Sequence, residues 1–117
     1  AKVVDKLPQY PGGQQGFQNF LNAASEEMTQ YLAEGRDKDY MMIEFVIDST
    51  GKPLYAKVLS GGNEELNEKL ELLFEGMPYW EPATYKENQV SMKLKQGIMV
   101  QKSNNTVARP ENSTEGN

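Results

Sequence analysis

Residues 40–60 read YMMIEFVIDSTGKPLYAKVLS, and how this stretch is read decides the fold. Met41, Ile43, Phe45 and Ile47 recur at every second position, so they share one face of a strand. Tyr40, Met42 and Val46 fall on the opposite face and are also apolar, which predicts partial cover there. DSTGK, with Gly51, is a turn cluster, and PLYAKVLS is a second extended run. Two such runs joined by a short glycine turn predict an antiparallel hairpin.

Upstream of the hairpin the period changes. Phe17, Phe20, Leu21, Ala24, Met28, Tyr31 and Leu32 form one apolar stripe of a helix beginning near Gln14, with Gly35 as its expected stop. Residues 1–13, AKVVDKLPQYPGG, hold Pro8, Pro11 and a Gly12–Gly13 pair, and read as an extended entry segment. Downstream, Asn63 is an expected N-cap, with Glu64 and Glu65 in the favourable first turn. Leu66, Leu70, Leu73, Phe74 and Met77 mark a second buried helical face that Gly76 and Pro78 terminate. Glu64, Glu65, Glu68 and Glu71 read as its solvated side.

GMPYWEPA, residues 76–83, places the only tryptophan, Trp80, between two prolines. Proline fixes an extended path and a large indole covers apolar surface, so the segment reads as a corner closing the core. A last strand is expected from Asn88 to Val100. Val90, Met92, Leu94, Ile98 and Val100 share its apolar face, and Ser91, Lys93 and Lys95 its outer face. Residues 102–117, KSNNTVARPENSTEGN after Gln101, are polar and aperiodic and read as a disordered tail. One domain over residues 14–101 follows. Its fold class is α+β: a small three-stranded antiparallel sheet with two helices packed on one face.

Composition narrows the function classes. The 117 residues include no cysteine and no histidine, which removes disulfides, thiolate nucleophiles, ordinary zinc sites and the commonest general base. No cofactor or metal is expected. Acidic residues fall in turns and on helix faces rather than at buried positions, and SGGNEE lacks the lysine of a phosphate loop, so no enzyme is expected. A net charge of −5 with scattered lysines argues against nucleic acid. No apolar run approaches the ~20 residues of a membrane span.

PQYPGG before a helix, the Phe45-x-Ile47-Asp48-x-x-Gly51 hairpin and Leu66-Asn67-Glu68-Lys69-Leu70 come in that order. Met77-Pro78-x-Trp80-x-Pro82-Ala83 and a closing Val90-x-Met92-x-Leu94 strand follow. Together, over residues 7–100, they resemble the C-terminal domain of TonB, in the versions typical of Bacteroidetes. The resemblance implies a periplasmic or otherwise extracytoplasmic module for energy-coupled transport. It would meet the membrane only through an anchor outside this chain and capture a segment of an outer-membrane receptor by strand addition. The edge would be the last strand, Val90, Ser91, Met92, Lys93, Leu94 and Lys95, whose unpaired backbone groups bind while Ser91, Lys93 and Lys95 set register or meet acidic partner residues. The same lysines also read simply as protection against edge aggregation. Tyr10 is either a surface stacking platform or a latch on the first helix. The alternative function keeps the fold without the transducer role: an extracytoplasmic structural or sensory domain that pairs with itself as a homodimer.

Overall fold

Asp48 begins the turn that makes the hairpin. Its Oδ1 accepts from the Thr50 N–H at 2.8 Å, the Thr50 hydroxyl at 2.6 Å and the Lys52 N–H at 2.9 Å. The Thr50 hydroxyl and the backbone donors hold its carboxyl below the usual carboxylate range. What this turn adds to stability is therefore complete above the unfolded carboxylate pKa and is lost as pH falls through the lowered folded value. Strands β1 (Lys38–Ile47) and β2 (Pro53–Ser60) flank it, antiparallel as expected. The computed structural model describes residues 4–102.

The third strand, β5 (Met92–Gln101), pairs with the other side of β1 in an unbroken antiparallel register from Lys38↔Gln101 to Ile47↔Met92. Sheet order is β2-β1-β5, so β2 and β5 are its two edges. Met41, Ile43, Phe45, Ile47, Ile98 and Val100 are buried under two helices, α1 (Gly13–Met28) and α2 (Glu64–Glu75). The α+β class and both helices agree with the sequence reading. On the opposite face Met42 and Val46 are half-buried and Tyr40 is exposed.

Helix α2 matches its signals: Asn63 Oδ1 accepts from the Leu66 N–H at 2.9 Å, and Gly76 is the C-cap. Helix α1 is shorter than its apolar stripe. It ends at Met28, tightens into a 3-10 turn over Thr29–Tyr31 and leaves Leu32 extended, so Gly35 lies in a later turn. The Thr29 hydroxyl donates to the Glu26 carbonyl at 2.8 Å, drawing off an acceptor of the last helical turn.

Two further corrections concern the end of the chain. The expected strand from Asn88 to Val100 is two strands. Its first part, β4 (Asn88–Val90), pairs with β3 (Ala83–Tyr85) in a separate two-stranded sheet, and the chain leaves strand geometry at Ser91. The β3–β4 turn is Lys86-Glu87, both with positive φ (50° and 68°), the type I′ geometry usually given to Asn-Gly. Asp5 supports it, accepting the Lys86 N–H at 2.6 Å. Because a left-handed conformation is unfavourable for residues bearing a Cβ, Glu87→Gly should raise the unfolding free energy by about 1 kcal/mol. Chemical denaturation would register this, and a loss of stability would contradict the turn. The expected tail beyond Lys102 lies outside the described residues.

The entry segment runs beside β3, with bridges at Lys6↔Thr84 and Gln9↔Glu81. It lies against the Trp80 corner, and that corner in turn holds the hairpin turn. Trp80 is 7% exposed, and its backbone N–H donates to the Gly51 carbonyl at 2.8 Å. Gly51 has φ 94° and approaches Trp80 so closely that a Cβ would lie 1.9 Å from the Trp80 carbonyl oxygen. GMPYWEPA is thus the corner that locks the turn to the core.

Candidate functional site

Hydrogen-bond direction alternates along an antiparallel strand, so one bond fixes the phase of all the others. The Lys102 N–H donates to the Asp37 carbonyl at 2.8 Å. Counting back through the unbroken register, Gln101, Met99, Gly97, Lys95 and Lys93 point their N–H and C=O groups away from β1. Ser25 on α1 confirms the phase by donating its hydroxyl to the Met99 carbonyl at 2.5 Å. Among the described residues, no backbone hydrogen bond reaches the outward groups of Lys93 or Lys95.

The other edge differs. The outward N–H groups of Ala56 and Val58 on β2 donate to carboxylates of α2, at 3.1 Å to Glu75 Oε2 and 2.9 Å to Glu71 Oε2. Glu71 and Glu75 lie four apart on one side of the helix, one position after buried Leu70 and Phe74. The solvated reading of Glu71 is therefore corrected: it is half-buried and closes an edge. The signal was present, because a residue one step from the buried stripe sits only 100° round the helix, on its flank.

Of the six residues expected on the open edge, Met92, Lys93, Leu94 and Lys95 lie on β5, while Val90 and Ser91 do not. Lys93 and Lys95 are exposed on the outer face, and Lys93 Nζ is 3.9 Å from Glu44 Oε2. Met92 and Leu94 point to the helix side and are half-buried. The open run continues to Gly97, over which the Tyr40 ring lies; a Cβ there would be 2.0 Å from the tyrosine hydroxyl. Beside it, a cleft of about 270 Å³ separates α1 from β5, lined by Asn22, Ser25, Gln96 and Gly97 among others. Sequence reading did not single out Ser25, Asn22 or Gln96, since contact between α1 and the β5 edge depends on how the helix crosses the sheet.

Tyr10 packs into the aromatic cluster, with ring centroids 5.6 Å from Phe17, 5.9 Å from Phe20 and 5.6 Å from Trp80. This is the position of a latch on α1. Burial raises its phenol pKa, so the hydroxyl stays neutral through the physiological range. The ring also lines a groove of about 280 Å³ with Leu7, Pro8, Phe17 and Trp80.

Among the described residues no group of three or more Asp and Glu side chains is arranged to hold a metal ion. No described helix is long and apolar enough to cross a membrane. What this arrangement offers chemically is a row of backbone donors and acceptors. Comparison of the chain with protein-family models, curated proteins and solved structures finds no match in any of the three.

Proposed function

We propose that the domain captures an extended segment of another polypeptide by strand addition to β5. The observation that carries this reading is the asymmetry of the sheet. The outward N–H groups of Ala56 and Val58 on β2 are taken by α2 carboxylates, whereas the outward donors and acceptors of Lys93 and Lys95 have no backbone partner among the described residues. An edge of this kind supplies affinity through main-chain bonds and selects through neighbouring side chains. The resemblance of residues 7–100 to TonB C-terminal domains supports a periplasmic setting, an outer-membrane receptor segment as partner and a part in energy-coupled transport.

Proline scanning of β5 tests the reading. Lys95→Pro removes an outward donor and leaves the bonds to β1 intact, so the fold should tolerate it. Binding of an extended valine–threonine peptide should weaken at least about tenfold, corresponding to the loss of roughly 1.4 kcal/mol. Leu94→Pro breaks a bond to β1 and should instead destabilise the fold by about 3 kcal/mol. Unchanged peptide binding by a folded Lys95→Pro protein would remove β5 as the site.

Tyr40 and Met99, both exposed beside the same edge, favour a second reading in which two copies pair through β5. Sedimentation across a hundredfold range of concentration separates the two: a monomer throughout rejects self-pairing.

A further inference from the structure

The outer face of the β5 edge changes character along its length. Lys93 and Lys95 make one end basic. At the other end Tyr40 and Met99 stand directly opposite each other on β1 and β5, and these two large side chains remain 54% and 44% exposed. Between Lys95 and Met99 comes Gly97, which has no side chain of its own. The Tyr40 ring edge and hydroxyl lie where a Cβ on Gly97 would stand. A ring placed over a strand glycine restores cover within a sheet. Here the glycine is on the open edge, so the ring also reaches the flank that an added strand would take.

An added strand places one residue directly opposite Gly97. Whether the strand runs parallel or antiparallel, opposed residues carry their side chains on the same face of the sheet. The side chain opposite Gly97 therefore stands on the outer face. It meets no β5 side chain at its own level; the Tyr40 ring fills that place, and Met99 lies on the diagonal, within reach of a long or aromatic group. A large apolar side chain would remove the exposed surface of both from water. The residues on either side of it turn the other way, toward the cleft beside α1. Gln18, Asn22, Ser25 and Gln96 line that cleft, and its apolar lining residues Leu21 and Ile98 belong to the buried core. Amide and hydroxyl groups there favour polar neighbours, so the apolar preference belongs to the outer face alone.

We infer that the β5 edge selects its captured segment through a large apolar side chain opposite Gly97, seated on Tyr40 and Met99. This inference rests on strand addition at β5, with which the apolar seat is continuous.

Two acetylated heptapeptide amides test it: seven threonines, and the same peptide with phenylalanine at the centre. Each is titrated into the full chain labelled with ¹⁵N and with ¹³C at the methionine methyl groups. The phenylalanine peptide should bind about fivefold tighter than the threonine peptide. It should shift the Lys93, Lys95 and Gly97 amide resonances and, through its ring current, the Met99 methyl. Tyr40→Ala and Met99→Ser each change an exposed side chain. Either should reduce the preference to about twofold or less while the threonine peptide binds as before. Urea unfolding checks that each variant is folded, and one folded variant suffices. Equal affinities with shifts at Lys93 and Lys95 would overturn the apolar seat and leave strand addition standing. A preference retained in the folded variants would do the same. No shift on β5 with either peptide at millimolar concentration would overturn both. A Met99 methyl shift on concentrating the protein without peptide would mean that a second copy takes the seat, and would also overturn the inference.

Discussion

Trp80→Ala should lower the unfolding free energy by about 3–5 kcal/mol, the range for deleting a large buried aromatic side chain. The indole joins three parts of the chain. Its ring meets Tyr10 from the entry segment edge-on at 5.6 Å, Phe17 from α1 at 5.0 Å and Phe45 from β1 at 5.7 Å. Alanine would leave a cavity that the entry segment and α1 must both move to fill. Trp80→Phe provides the control. The indole Nε1 is buried and has no hydrogen-bond partner among the described residues, so phenylalanine loses area but no bond. Its cost should be clearly smaller, on the order of 1–2 kcal/mol. Urea unfolding with unchanged m-values measures both. A cost below about 1 kcal/mol for the alanine variant would mean that this corner does not hold the core.

Removing both carboxylates from α2, Glu71→Ala with Glu75→Ala, should have two effects at once. Two outward N–H groups of β2 lose their acceptors, for a combined loss of about 2–3 kcal/mol, moderated because water reaches the Ala56 site. The newly opened edge also carries exposed Tyr55 and Leu59, a template for pairing between copies. Concentration-dependent association should therefore appear in sedimentation. Glutamine at both positions retains an acceptor oxygen and should stay closer to the parent on both measures. A double alanine variant with the parent's stability and sedimentation behaviour would show that α2 does not close this edge.

These carboxylates also mark where sequence reading stopped. The hairpin was legible because strand period, Asp48 and Gly51 agree over one short stretch, and α2 because Asn63, the leucine spacing and Gly76 agree. The last strand was drawn too long for a physical reason. Val90, Met92 and Leu94 keep the same parity across Ser91, and parity reports a face without naming a partner strand. Lys86-Glu87 gave no warning, since neither residue is one that type I′ turns favour. The exposed position of Lys93 and Lys95 followed from alternation, but the closed state of β2 did not. A helical carboxylate meets a strand N–H only if the helix lies along that edge, which is a property of tertiary packing. Ser25 was missed on the same ground: a helical serine carries no sign of a strand carbonyl until α1 is laid beside Met99.

Amide hydrogen exchange along β5 reads the state of this edge residue by residue. Leu94, Gln96 and Ile98 donate to β1 and should exchange slowly, while Lys93, Lys95 and Gly97 face outward and should exchange close to the unprotected rate. Ala56 and Val58, bonded to the α2 carboxylates, should be protected on the opposite edge. That two-residue alternation along β5 is the predicted result. Protection of Lys93 and Lys95 equal to that of Leu94 and Gln96 would mean that the strand is already covered on its outer side, and capture of a peptide there would be contradicted.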